Sequence, residues 1–151
     1  MSASDPNHCP IPDVTLTPLK VIEGAQGNIM HGMRSDDETF VGFGEVYFST
    51  VHAGEKKPWR RHTKLTLNLL VPHGEIRFVL CDDRDGKDPI FWEINMSLEN
   101  YQCVTIPPRI WLAFQGVSEG INMLLDLIDS PHDPDESDKR DLEEIPYDWG
   151  E

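Results

Sequence analysis

Through the middle of the chain, apolar and polar residues alternate with a period of two. Glu45-Val46-Tyr47-Phe48-Ser49-Thr50 alternates, and so does Leu65-Thr66-Leu67-Asn68-Leu69. Glu75 to Leu80, Trp92 to Met96, Gln102 to Ile106 and Ile121 to Leu125 are further segments of strand length. A strand sends successive side chains to opposite faces, so this period predicts half-buried β-strands, and no sustained helical stripe competes in the centre. Turn-forming residues separate the segments at Pro72-His73-Gly74, Asp85-Gly86, Pro107-Pro108 and Ser118-Glu119-Gly120. Many short strands at regular spacing predict an all-β sandwich or barrel.

Parity within the strands points to a site. Taken as one strand, residues 62–69 place His62, Lys64, Thr66 and Asn68 on one face and Leu65, Leu67 and Leu69 on the other. Glu45, Tyr47 and Ser49 form a similar polar face opposite Val46 and Phe48. Such faces either meet solvent or line a hydrated barrel mouth, and alternation does not decide between them. The ends differ in composition. Residues 1–12 are polar and punctuated by Pro6, Pro10 and Pro12, which predicts a flexible N-terminal arm before a barrel over 13–132. Residues 133–151 form an acidic C-terminal segment, with a short helix expected after Pro134. Ile145, Tyr147 and Trp149 give that segment the apolar weight to dock on the barrel.

The 151 residues suit one domain with a single core. A net charge of −14 argues against nucleic acid and against an anionic membrane surface, since both select for positive charge. Cys9, Cys81 and Cys103 are odd in number and widely spaced, which predicts neither a disulfide framework nor a zinc site. The first twelve residues hold no apolar stretch of a secretory signal, and no apolar run reaches the roughly 20 residues that span a bilayer. A soluble cytoplasmic protein is expected.

Against this acidic background one basic segment stands out. Lys56, Lys57, Arg60, Arg61 and Lys64 are five of the 13 Lys and Arg residues, and they fall within nine positions. Arg grips phosphate oxygens bidentately, so the segment suits a small anionic ligand; a solvated loop that counters acidic neighbours is the other reading. His62 sits among these cations. Flanking positive charge favours its neutral form, which suits a general base next to a carbonyl, and the resulting enolate would be stabilised by Lys or Arg. Glycine-rich phosphate loops, a nucleophile elbow and HExxH are absent, and Lys64 stands where a metal-binding cupin would carry a second His. Neither a metal nor a cofactor is expected.

The chain resembles the dTDP-4-dehydrorhamnose 3,5-epimerase superfamily, the nucleotide-sugar cupins, and most closely its short members from bacterial polysaccharide clusters. The resemblance starts at Gly27-Asn28-Ile29-Met30-His31 and runs through Trp59-Arg60-Arg61-His62. Gly74 to Arg84 is similar to the family's GEVFDVAVDLR stretch, Leu98-Glu99-Asn100 to its LSxxN, and Ile106 to Phe114 to its IPPGFAHGF. Ser118-Glu119, His132 to Glu136 and Ile145 to Trp149 follow in the family's order.

The resemblance implies a double-stranded β-helix, the cupin jelly-roll barrel, with a short helical or irregular C-terminal tail. It implies a homodimer without metal that binds a nucleotide sugar and acts on its 4-keto-6-deoxy ring by proton abstraction. His62 matches the family's base and Asp141 its His-pairing carboxylate. Arg60 or Arg61 replaces an Arg that is Trp59 here, and Lys64 stands for the family's Lys. Tyr47, Glu45 and Asn68 on the polar faces complete the expected site, with Tyr47 as a substitute acid. The departures are Arg109 for the Gly of IPPGFAHGF, Leu112 for its His, and Leu125 near the place of the catalytic Tyr. They leave two alternatives to an epimerase or isomerase: a cupin that binds a nucleotide sugar without chemistry, and a metal-dependent cupin enzyme.

Overall fold

A computed structural model describes residues 8–151, so residues 1–7 of the expected arm lie outside the described residues. The alternating segments become antiparallel strands: β1 Thr15–Pro18, β2 Val21–Ile22, β3 Ile29–Met30, β4 Glu45–His52, β5 Lys56–His62, β6 Leu67–His73, β7 Ile76–Asp82, β8 Ile90–Met96, β9 Gln102–Ile106, β10 Trp111–Gly116, β11 Ile121–Ile128 and β12 Ser137–Arg140. Two five-stranded sheets face each other. The first has the order β1-β9-β6-β11-β4 and the second β12-β5-β10-β7-β8; β2 and β3 form a separate hairpin. This is the antiparallel double sheet of a cupin jelly roll.

The inner faces make the main core. Leu67, Leu69 and Val71 of β6 and Leu124 and Ile128 of β11 meet Ile76, Phe78 and Leu80 of β7 and Ile94 and Met96 of β8. Ile11 joins this core, so the described end of the arm is anchored there. A second apolar cluster lies on the outer face of the second sheet. There Trp59, Val79, Cys81, Trp111 and Ala113 are covered by Phe91 and by Leu142, Ile145, Tyr147 and Trp149 of the C-terminal segment. The Trp59 indole donates to the Ile145 carbonyl at 3.1 Å, and Arg77 donates to the Trp149 carbonyl at 2.6 Å.

Two expectations change. The segment after Pro134 forms β12 on the edge of the second sheet, followed by a single 3-10 turn at Leu142–Glu144. Ser137, Asp138, Lys139 and Arg140 find strand partners on β5, and that pairing outweighs the local preference for a helix. Residues 62–69 are also not one strand. The chain turns at 63–66 and crosses from the second sheet to the first, so the side-chain parity of β5 does not carry into β6.

Asn122, with 0% exposure, ties the ends of the sheets together. Its Oδ1 accepts from the backbone amides of Glu75 and Ser118, and its Nδ2 donates to the carbonyls of Val51 and Ser118. Gly74 (φ 78°) and Gly116 flank it so closely that a Cβ at either would lie 2.5 or 2.8 Å from the Asn122 amide. Asn122→Ala leaves buried amides unpaired and should lower unfolding stability by about 2–4 kcal/mol in denaturant titrations.

Candidate active site

A local irregularity in β5 decides which basic residues look inward. Opposite Leu112 and Phe114 of β10 stand Arg60 and Lys57, so two residues of β5, Pro58 and Trp59, face one of β10. Pro58 lacks the N–H that a regular ladder would use, and a bulge is where a strand accommodates it. The extra residue resets the parity. Lys57, Arg60 and His62 face the space between the sheets, whereas Trp59 and Arg61 face outward.

These inward residues line a cavity of about 390 Å³. Leu67 and Leu69 of β6, Leu112 and Phe114 of β10 and Leu124 of β11 form its apolar wall. Tyr47, Ser49 and Asp126 line the side formed by the first sheet, and Lys139, Arg140, Asp141 and Glu144 come from the C-terminal segment. Lys139 pairs in register with Arg60, which sets two cations side by side across β5 and β12. Lys57, Arg60 and Lys139 make no ion pair among the described residues. Adjacent like charges are destabilising unless something of opposite sign lies against them.

His62 is buried, and its Nδ1 lies 2.5 Å from Glu136 Oε1. A carboxylate can only accept, so Nδ1 carries the hydrogen and the neutral ring keeps its lone pair on Nε2. The other Glu136 oxygen accepts from the backbone amides of Lys64 at 2.7 Å and Leu65 at 3.1 Å. Burial pushes the Glu136 carboxyl up, but His62 and these two amides outweigh it and hold it below the usual carboxylate range. The carboxylate paired with His62 is therefore Glu136 and not Asp141. Asp141 lies beyond the end of β12, where it lines the cavity and opens the 142–144 turn.

On the opposing wall the Tyr47 hydroxyl donates to Asp126 Oδ2 at 2.7 Å. Burial pushes the Asp126 carboxyl up to about 7, with the Tyr47 hydroxyl and Arg60 pulling the other way. Burial and then the Asp126 charge raise the Tyr47 hydroxyl well above its ordinary value.

The expected site residues thus divide. His62, Tyr47, Arg60 and Asp141 share the cavity. Arg61 lies on the outer face, 2.7 Å from Asp138 and stacked 4.5 Å from the Trp111 ring centroid. Lys64 is exposed in the β5–β6 turn. Asn68 is buried behind β6, where its Oδ1 accepts from the Thr105 hydroxyl at 2.6 Å and its Nδ2 donates to the Thr39 carbonyl. Glu45 accepts from the His132 backbone amide at the rim of β4. Lys57, of the basic segment, also lines the cavity, whereas no local motif marks Glu136, Asp126 or Lys139 as site residues. Inward parity along β11 could have found Asp126; Glu136 and Lys139 depend on the pairing of β12 with β5, which no local pattern shows. Leu125 faces outward, and its inward neighbours are Leu124 and Asp126. Arg109 takes a left-handed backbone, at φ 71°, and its amide donates to the His62 carbonyl at 2.7 Å. Among the described residues, no three His, Cys, Asp or Glu side chains gather as a metal site. No helix among them is long and apolar enough to cross a membrane.

No protein-family model matches the sequence, and no curated protein matches it. Solved structures do. A sugar 3,4-ketoisomerase from Thermoanaerobacterium thermosaccharolyticum, in complex with TDP, shares the fold at TM-score 0.70 and 21% identity, covering 86% of this chain and 90% of that one. A 3'-monoepimerase from Streptomyces bikiniensis, in complex with dTDP-quinovose, shares it at TM-score 0.81 and 14% identity, covering 94% and 77%. A dTDP sugar isomerase from Desulfovibrio desulfuricans G20 superposes at TM-score 0.87 with 31% identity, covering 93% of this chain and 92% of that one. With that identity over nearly the whole of both chains, the protein belongs to the dTDP-4-dehydrorhamnose 3,5-epimerase-like family of nucleotide-sugar cupins.

Proposed function

We propose that this protein is a nucleotide-sugar epimerase or isomerase that acts on a 4-keto-6-deoxy sugar in bacterial polysaccharide or deoxysugar biosynthesis. One observation carries the reading. A buried His62, its Nδ1–H committed to Glu136, lies in the same cavity as the unneutralised Arg60 and Lys139. The cations suit a diphosphate, which supplies the charge that their side-by-side placement lacks. The apolar wall of Leu67, Leu69, Leu112 and Phe114 suits a deoxy sugar, whose methyl group and ring faces are poor in hydrogen-bonding groups.

With the sugar bound, Nε2 of His62 takes the proton on the carbon next to the keto group. The C–H electrons pass onto the carbonyl oxygen, and the positive charge of the cavity stabilises the enolate that forms. Glu136 keeps the imidazole in the tautomer this step requires and stabilises the imidazolium. Asp141, at the mouth, takes no part in pairing with the base. The unpaired Cys9, Cys81 and Cys103 suit a cytoplasmic setting, where nucleotide sugars are made and used.

We infer a homodimer from the outer face of the first sheet. Val46 and Phe48 of β4, Leu125 and Leu127 of β11, and Phe43 and Met30 before β4 form a continuous apolar surface there. Phe48 is 60% exposed and Phe43 64%. A surface of this kind suits a second copy of the chain better than water.

In deuterated water, dTDP-4-keto-6-deoxyglucose should gain ring deuterium in the presence of the protein. His62→Ala should slow that exchange by about 100-fold or more, and an unchanged rate would remove His62 as the base. Arg60→Ala and Lys139→Ala should each weaken dTDP binding by about 10- to 100-fold in calorimetric titration, with less salt dependence than the parent protein. Binding without any exchange would favour the non-catalytic cupin. Light scattering should give twice the chain mass, and Phe48→Glu should shift it toward the monomer.

A further inference from the structure

The sheet facing His62 holds a second titratable group that the proposed reaction has not yet used. Asp126 stands on β11 and lines the cavity from the first sheet, whereas His62 enters from β5 of the second. Its side chain is nearly sealed, with the residue 4% exposed. Oδ2 accepts the Tyr47 hydroxyl proton at 2.7 Å, but Oδ1 is buried and has no hydrogen-bond partner. A buried, unpaired carboxylate oxygen is costly, and native structures keep one where a ligand or a function satisfies it.

The groups around Asp126 do not give it a full counter-charge. From β4 come Tyr47 and, at the strand's start, Glu45; from β5 come Lys57, Arg60 and His62. β6 presents only Leu67 and Leu69 to the cavity, and the Cys103 thiol of β9 lies near Asp126 behind the sheet. Lys139, Arg140 and Asp141 stand on the C-terminal side of the cavity. Arg60 favours the ionised form but makes no ion pair with it, and burial opposes ionisation. The carboxyl, pushed up to about 7, holds its proton over part of the neutral range. Tyr47 is the poorer donor, because its hydroxyl proton already serves Asp126 and the same burial raises its pKa.

We propose that Asp126 is the general acid opposite His62, a catalytic role that rests on the sugar-isomerising reading above. Asp126 carries its proton on Oδ1, and Tyr47 is a positioning residue that fixes Oδ2. His62 removes the C–H proton from one side and the bond's electrons pass to the carbonyl oxygen. On the other side the Oδ1–H bond breaks as the carbon takes that proton and the carbonyl is restored. The cycle leaves His62 protonated and Asp126 ionised, and each exchanges its proton with solvent before the next turnover. Inversion at the carbon follows from the two groups standing on opposing sheets. The acid must be protonated, so turnover falls as pH rises through about 7.

The test uses the full chain with dTDP-4-keto-6-deoxyglucose in deuterated water. Asp126→Asn should keep deuterium exchange within about 10-fold, because His62 still removes and returns the proton on its own side, but should lose epimerised product by about 100-fold or more. Its pH profile should also lack the fall above neutrality. Tyr47→Phe removes a donor to the ionised form and loosens the carboxyl, so it should lower turnover and move that fall to higher pH. Carbon-13 NMR of the unmutated protein should show one aspartate carboxyl titrating near pH 7 that is missing from Asp126→Asn. An ordinary titration near pH 4, or unchanged product formation in Asp126→Asn, overturns the proposal. Equal loss of exchange and product in a variant that still binds dTDP overturns it as well. Failure of the underlying reading shows differently: the unmutated protein then neither exchanges nor converts the sugar, and the acid role goes with it.

Discussion

The Glu136 carboxylate is the contact on which the rest of the site depends. A buried charge must be paired and hydrogen-bonded or it is expelled, and Glu136 meets that demand with His62 and the amides of Lys64 and Leu65. The same contacts hold the turn that carries the chain from one sheet to the other. The Thr63 hydroxyl adds to this by donating to the Glu136 carbonyl at 2.6 Å. With Glu136 held in place, the residues that follow it are delivered to the edge of β5 as β12. One carboxylate therefore orients the imidazole, closes the β5–β6 turn and brings Lys139 beside Arg60.

The bulge at Pro58 sorts the basic segment into two chemical roles. Without the extra residue, Lys57 and Arg60 would fall on opposite faces of β5. With it, both join His62 inside, and Lys56 and Arg61, the other two cations of β5, make contacts outside. Lys56 pairs with Glu151, and Arg61 bridges Trp111 and Asp138. Within β5 the outward cations are neutralised and the inward Lys57 and Arg60 are not.

The two outer sheet faces are treated differently by the chain. The C-terminal segment covers the face of the second sheet with Leu142, Ile145, Tyr147 and Trp149. The corresponding face of the first sheet stays open at Phe48 and Phe43. Between the sheets, each wall brings one hydrogen-bonded titratable pair, His62 with Glu136 and Asp126 with Tyr47. Their environments differ in a way that sets their chemistry. Glu136 has donors enough to stay ionised, whereas Asp126 has one donor and an orphaned oxygen.

The sequence by itself determined the all-β architecture, since period-two alternation at 45–50, 75–80, 92–96, 102–106 and 121–125 leaves no other way to bury the apolar face. It also marked the family, and it placed His62, Arg60, Tyr47 and Asp141, all of which line one cavity. Alternation misled at 62–69, where the chain changes sheet, and so Lys64 and Asn68 fall outside the cavity. Local pattern could not assign Glu136 to His62, because the two are 74 residues apart and meet only when β12 joins β5. Nor could it show which of Arg60 and Arg61 faces inward, since that depends on a bulge whose register is set by β10. Short-range periodicity reports which residues must be buried. Which charges then share a cavity, and which of them find a partner, is decided by strand pairing at long range, where electrostatics and hydrogen bonding act through space.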